Sequence, residues 1–358
     1  MSDHPENPNP PSPDRRDFLH SASVLGAGLA LSGAAAHAQD AIGPIELTDT
    51  GPDRIPRKPF GRTKEKFSII GVGGYSLGDA PSQKEATAIV HEAIDAGVNF
   101  FDNAWEYHDG KSEEWMGETL KGRRDKVFLM TKVCTHGRDK KVGLRQLEES
   151  LKRLQTDHLD LWQIHECVYD NDPERHFAKG GVAEALDEAK KTGKVRYVGF
   201  TGHKNPAIHL KMLSYKYPFD SVQMPLNAFD ANYRSFQKHV LTEVNKRGMA
   251  GLGMKSLGGN GQPILKGVLT VEEALRYAMS LPVATTISGI DSLAVLRQNL
   301  AIARGFKLMT AEEMETLRKR CARAAGDGHL ELYKSTMKYD GDVGRKEHGM
   351  PLHKELPL

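Results

Sequence analysis

The chain has 358 residues, with 49 Lys and Arg against 47 Asp and Glu for a formal net charge of +2, and 39% of it is hydrophobic. That is enough apolar sequence to bury a full core in one large domain with appendages. The balanced, dispersed charge speaks against a nucleic-acid surface, since runs such as Lys64-Glu65-Lys66 and Arg318-Lys319-Arg320 read as solvated faces. Cys134, Cys167 and Cys321 are too few and too scattered for a disulfide framework or an iron–sulfur cluster.

A Pro- and Asn-rich start leads into Asp14-Arg15-Arg16-Asp17-Phe18-Leu19-His20 and an uncharged Ala/Gly-rich stretch, about Ala22 to Ala36. This resembles a twin-arginine export signal, although Asp14 and His20 depart from the usual flanking residues. Ala36-His37-Ala38 supplies a small-x-small cleavage site, so that the mature chain starts at Gln39. The apolar stretch is too short and too weak for a stable membrane span. The resemblance implies a signal peptide over 1–38, export of the folded protein by the twin-arginine translocation machinery, and a periplasmic location. A Pro-interrupted linker follows over 39–57.

Strand-like and helix-like patterns then alternate. Strands are expected at Phe67–Gly73, Val98–Asp102, Val127–Lys132, His158–His165, Val195–Thr201, Ser221–Met224, Met249–Lys255 and Val283–Ser288. Helices are expected between them, among others at Lys84–Ala96, Gly143–Gln155, Val182–Thr192, Tyr233–Lys246 and Val271–Met279, with Gly97, Gly193 and Gly248 as stops. Eight such pairs in the segment 58–305 predict an α/β fold, a (β/α)8 TIM barrel. The rival doubly wound sheet would place a glycine fingerprint after its first strand. The run Gly71-Val72-Gly73-Gly74-Tyr75-Ser76-Leu77-Gly78 lacks that spacing, and reads as close backbone approach at the barrel mouth or as a flexible turn. Over 306–358 a charged helix, Ala311–Ala325, precedes a tail that covers the barrel, binds a partner or is mobile; local pattern does not choose among these.

Asp102, Tyr107, Lys132 and His165 lie at or just past the ends of predicted strands, which a parallel barrel gathers at one rim. A tyrosine acts as an acid at neutral pH when a nearby ammonium stabilises its phenolate. Lys132 is the candidate ammonium, Asp102 the carboxylate that holds it, and His165 a donor to a carbonyl oxygen. Each residue taken alone has an ordinary structural explanation, and the conjunction carries the signal. Trp105 is a candidate wall of the substrate pocket, Trp162 a core residue. The histidines show no metal-ligand spacing, so no metal is expected. Cys134 and Cys167 each follow a site residue by two positions, which leaves a disulfide between strand ends open against two unlinked thiols.

Over about Pro59 to Gly305 the chain resembles the aldo-keto reductase superfamily. Asp-Asn-Ala-Trp-Glu-Tyr (102 to 107), Thr131-Lys132, Ser150-Leu151-Lys152-Arg153-Leu154 through Asp160-Leu161, and Ile164-His165 fall in family order. The resemblance implies a (β/α)8 barrel that moves hydride between a nicotinamide cofactor and a small carbonyl or alcohol substrate. Tyr107 is then the general acid, Lys132 and Asp102 its tuning pair, and His165 the carbonyl-orienting donor. It also implies cofactor contacts at Gly73, Thr201, Gln223, Lys255, Leu257, Gly258, Ser288, Gly289 and Asn299. Thr201-Gly202-His203, Met254 and Asp291 depart from common family residues. Asp291 stands where NADPH-preferring members often carry a base, so NADP(H) is placed only slightly ahead of NAD(H). The competing expectation is a nicotinamide-binding regulatory or scaffold module with little turnover, resembling potassium-channel beta subunits.

Overall fold

The structure, a computed structural model, describes residues 45–134, 139–347 and 349–356. The twin-arginine stretch, its cleavage site and His136 lie outside the described residues. Among the described residues no helix is long and apolar enough to cross a membrane.

Strands β1 (Arg57–Pro59) and β2 (Lys66–Ser68) form an antiparallel hairpin that pairs Lys58 with Phe67. Eight further strands follow: β3 (Ile70–Gly73), β4 (Phe100–Asp102), β5 (Phe128–Val133), β6 (Leu159–Ile164), β7 (Val195–Thr201), β8 (Ser221–Pro225), β9 (Ala250–Met254) and β10 (Thr285–Gly289). They close in chain order into an all-parallel barrel, with β10 returning to β3. This is the (β/α)8 barrel expected from the alternating pattern.

The expected first strand, Phe67–Gly73, forms as two elements, β2 and β3, and β1 begins at the end of the segment read as linker. The reason is a floor of aromatic rings at the N-terminal end of the barrel. Phe67 lies 4.8 Å from Phe60, 4.9 Å from Phe100 and 4.4 Å from Phe128, ring centre to ring centre. Burying such a ring contributes roughly 1.5–3 kcal/mol. Lys58 is drawn in beside it, 2% exposed, and its ammonium donates to the carbonyls of Met279 and Leu281 at 2.5 and 2.8 Å.

Met130, Leu161, Leu252 and Ile287 fill the barrel interior above this floor, while Trp162, Ile164, Leu147 and Leu186 belong to the core between strands and helices. Trp162 is a core residue, as expected. The helices Gln83–Asp95, Lys140–Arg153, Val182–Lys191 and Val271–Met279 form within a few residues of their expected bounds. Gly97, Gly193 and Gly248 end their helices at φ of 98°, 75° and 68°, the left-handed conformation a C-terminal stop needs.

The segment Tyr233–Lys246 differs from expectation, becoming a π-helical turn, Gln237–Leu241, followed by a short helix, Thr242–Lys246. Its start is set by the buried Asp230 carboxylate, which accepts the N–H groups of Phe236 and Gln237 at 2.9 and 2.8 Å and so delays the helix. The helix Ala311–Ala325 forms as expected, opened by a reciprocal Thr310–Glu313 cap.

Candidate active site

The four residues singled out at strand ends meet at the C-terminal rim. Asp102 ends β4, Lys132 lies on the neighbouring β5, and His165 follows β6. Tyr107 opens a tight turn, Tyr107–Gly110, in which His108, Asp109 and Gly110 all have positive φ. The turn is held to the first barrel loop, here the short helix Gly74–Gly78 that follows β3, by His108 Nε2, 2.8 Å from the carbonyl of Tyr75. That loop comes close enough to need glycine, since a Cβ on Gly74 would lie 2.4 Å from the carbonyl oxygen of Asp102. The glycine run therefore serves close backbone approach.

Lys132 is completely buried, and its ammonium donates to Asp102 Oδ1 at 2.6 Å, to the Asn103 carbonyl at 2.7 Å and to the Tyr107 hydroxyl at 3.4 Å. All three ammonium hydrogens are thereby used. The rings of Tyr107 and His165 stand edge-on, 5.6 Å apart. One expectation is reversed. Burial first, then the carboxylates of Asp102, Glu106 and Glu166, push the Tyr107 phenol well above its ordinary pKa, so the ammonium does not make it an acidic phenol at rest.

A cavity of about 840 Å³ opens over these residues. Its lining includes Asp102, Tyr107 and His165, and also Gly73, Gln223, Lys255, Leu257, Ser288, Gly289 and Asn299 of the expected cofactor set. Four expected residues do not line it, the first being the completely buried Lys132. Trp105 is turned away: its indole donates to Glu149 Oε2 at 2.7 Å and Arg153 lies over its ring, so it packs on the helix Lys140–Arg153 and is no pocket wall. Thr201 is buried beneath the rim, and Gly258 gives its place to Gly259 and Gly261. No disulfide joins Cys134 and Cys167; burial, then Asp172 and Glu166, pushes the Cys167 thiol well up.

Other members of the site were not singled out in the sequence. Glu106 forms an ion pair with His165 Nδ1. Glu106, Cys134 and Glu166 each bring a ligand-type atom within 4.8 Å of the others, a grouping that a search for histidine spacing overlooks. Glu106 and Glu166 flank Tyr107 and His165 in the chain, and that adjacency was the available signal.

The tail supplies the rest, because Lys338, Tyr339, Gly341, Asp342 and His353 line the cavity. Of the three alternatives for the tail, covering the barrel is the one adopted. It is fastened by buried charge: Asp340 accepts from Lys204 at 2.7 Å and Arg345 at 2.9 Å, and Lys334 donates to Asp230 at 2.7 Å and Glu331 at 2.9 Å. The Gly341 N–H lies 3.0 Å from both Glu166 oxygens.

The aldo/keto reductase family model matches residues 69–262, more than half of the chain. The chain belongs to the aldo/keto reductase family. Among curated relatives, this aldo/keto reductase is 27% identical over 303 residues to the uncharacterized oxidoreductase YqkF of Bacillus subtilis, covering 73% of this chain and 95% of that one. It is 34% identical over 131 residues to the methylglyoxal reductase YeaE of Escherichia coli, covering 36% and 44% of the two chains. Among solved structures, aldo-keto reductase AKR11C1 from Bacillus halodurans matches its fold with a TM-score of 0.64 at 23% identity, over 75% of this chain and 96% of that one.

Within this aldo/keto reductase the cavity's polar groups leave room for a ligand. Gln223 Oε1 is buried with no hydrogen-bond partner among the described residues. Gly289 brings bare backbone to the wall, where a Cβ would meet Ser76 Oγ at 2.5 Å. At the Ser288–Asn299 end the lining carries Asp291 and neither lysine nor arginine. Lys255 lies between the tail and the tyrosine site, 5.4 Å from the Tyr333 ring and 5.2 Å from the Tyr339 ring, and burial pushes its pKa down to about 8. A second depression, of about 590 Å³, lies at the opposite rim among Arg124, His158, Asp160 and Arg196, where Asp160 already holds both arginines.

Proposed function

We propose that this aldo/keto reductase reduces an aldehyde or ketone to an alcohol, or runs the reverse reaction, with NADP(H) or NAD(H) bound along the cavity. The observation that carries this reading is the hydrogen-bonded series from Asp102 through Lys132 to Tyr107 with His165 beside it. Gln223, with its unpartnered oxygen, and Ser288, Gly289 and Asn299 would hold the cofactor. When bound, a nicotinamide supplies or takes the hydride at the substrate carbon.

Tyr107 then gives its proton to the carbonyl oxygen. The phenol is fully protonated at neutral pH, so the acid is always loaded. Lys132 offsets the charge left on the phenolate, and Asp102 keeps Lys132 charged and aimed. His165 orients the carbonyl. The complete set favours turnover over a binding module without chemistry.

Tyr107→Phe tests the assignment. Single-turnover decay of bound nicotinamide fluorescence, with a panel of aldehydes and ketones, is expected to be abolished while cofactor affinity stays within about threefold. Unchanged turnover would overturn it.

The arginine pair and the small-x-small site support export of the folded, cofactor-loaded protein through the twin-arginine machinery to the periplasm. N-terminal sequencing of the periplasmic protein is expected to begin at Gln39. An intact leader on protein confined to the cytosol would count against export.

A further inference from the structure

Three neighbouring strand ends each bring a metal-ligating side chain to the same place. Glu106 lies four residues past β4, Cys134 directly follows β5, and Glu166 lies two residues past β6. Since β4 pairs with β5 and β5 with β6, their ends deliver side chains side by side. A carboxylate oxygen of Glu106, the Cys134 sulfur and a carboxylate oxygen of Glu166 all lie within 4.8 Å of one another, and all three residues are buried. Cys134 is fixed there by its backbone, whose N–H donates to Gln146 Oε1 at 2.9 Å and whose carbonyl accepts from Gln146 Nε2 at 3.0 Å.

Two of the three donors are carboxylates, so the cluster gathers like charge away from water. Glu106 is 8% exposed, and neither of its oxygens has a hydrogen-bond partner among the described residues. Oε1 is charge-paired with His165 Nδ1, and Oε2 accepts no hydrogen bond. The Lys132 ammonium is committed to Asp102, the Asn103 carbonyl and Tyr107, so it does not serve Glu106. A carboxylate buried in this way is costly unless a cation meets it.

We propose that Glu106, Cys134 and Glu166 bind a divalent cation of the zinc class, and that the bound ion closes the carbonyl end of the cavity. The donor set selects the ion. Mg²⁺ and Ca²⁺ take shells made of oxygen alone, Cu⁺ favours sulfur throughout, and Zn²⁺ accepts sulfur and carboxylate oxygen together in a tetrahedron. Bond lengths of about 2.0–2.3 Å set tetrahedral ligands about 3.3–3.8 Å apart, so the donors close by roughly 1 Å as the ion enters. Cys134 loses its thiol proton to solvent, no electron is transferred, and a water fills the fourth position. Histidine spacing in the sequence gave no hint of the site because none of the three donors is a histidine.

Glu106 and Glu166 line the cavity together with Tyr107 and His165, so the fourth position faces the space where a carbonyl meets Tyr107. Gln223, Ser288 and Asn299 are not donors, and the ion leaves the cofactor in place. Closure rests on the carbonyl-reductase reading of the cavity; the ion site itself does not.

Cobalt(II) reports the site directly. Full-length protein without a histidine tag, stripped of metal by a chelator, is titrated with Co²⁺, which absorbs in the near ultraviolet when a thiolate binds it. A thiolate band that saturates at one Co²⁺ per chain is expected, displaced by Zn²⁺ and untouched by Mg²⁺. Cys134→Ser is expected to abolish the band, Glu166→Gln to weaken binding by more than about tenfold, and Cys321→Ser to change neither. A wild-type protein without the band, or a band that survives in Cys134→Ser, overturns the site.

Kinetics reads the closure. Zn²⁺ is expected to raise KM for the carbonyl while leaving kcat and nicotinamide affinity within about twofold, and half-inhibition of Cys134→Ser is expected to need more than about tenfold more zinc. Loss of nicotinamide binding on adding zinc, or zinc bound without a rise in KM, overturns the closure. Should no carbonyl be turned over, the carbonyl-reductase reading falls, and the cobalt band still decides the site. Should Cys134→Ser not fold, the wild-type band and Glu166→Gln decide it.

Discussion

The Lys132 ammonium lies 2.6 Å from Asp102 Oδ1, with the two side chains 0% and 5% exposed. Their strands are neighbours in the barrel, and the Lys132 ammonium also reaches the Tyr107 hydroxyl at 3.4 Å. A buried pair of this kind contributes little net stability, but losing one partner leaves a bare charge in low dielectric. Lys132→Met is therefore expected to destabilise the fold by about 3–5 kcal/mol and to lower kcat about 10²–10⁴-fold. Adding Asp102→Asn to that variant is expected to recover much of the stability and none of the rate. Urea unfolding and single-turnover kinetics on both variants measure the two effects.

The tail is held over the cavity by Asp340, fully buried and bonded to Lys204 and Arg345. Asp340→Ala leaves both cations without that partner. Its expected cost is about 3–5 kcal/mol, with faster proteolytic cleavage within 331–356. Because Tyr339 and Asp342 line the cavity beside the tyrosine site, KM for the carbonyl should rise more than kcat falls.

At the Ser288–Asn299 end, Asp291 is the charged residue of the lining. A carboxylate there repels a 2′-phosphate, so Asp291→Asn is expected to tighten NADPH binding about three- to tenfold and to change NADH binding less than about twofold. Fluorescence titration of both cofactors checks it. Equal changes for the two would show that Asp291 does not face that phosphate.

Burial pushes the Lys58 ammonium down to about 7 from an ordinary 10.5. Between those values the unfolded chain binds a proton that the folded chain does not, so stability rises with pH across this window and is flat below it. Wild type is therefore expected to gain about 1 kcal/mol per pH unit over Lys58→Met from pH 7 to 10. Paired thermal melts across that range test the sign.

The barrel and the four residues at its rim were legible in the chain itself. Strand-like runs, helical spacing and glycine stops are local signals, and a parallel barrel brings every strand end to one face. Where each side chain points was not local. Trp105, three residues beyond Asp102, turns outward to Glu149, while Glu106, one residue further, turns inward to His165. The positive-φ turn that follows at His108 and Asp109 breaks any simple alternation. The tail is the sharper case. Gly341 meets Glu166 across 175 residues, and Lys204 meets Asp340 across 136. Such contacts form only when the closed barrel offers buried partners for those charges. Residue type and spacing thus determined the fold and which polar residues meet at its rim, and tertiary packing decided which side chains face the cavity and what closes over it.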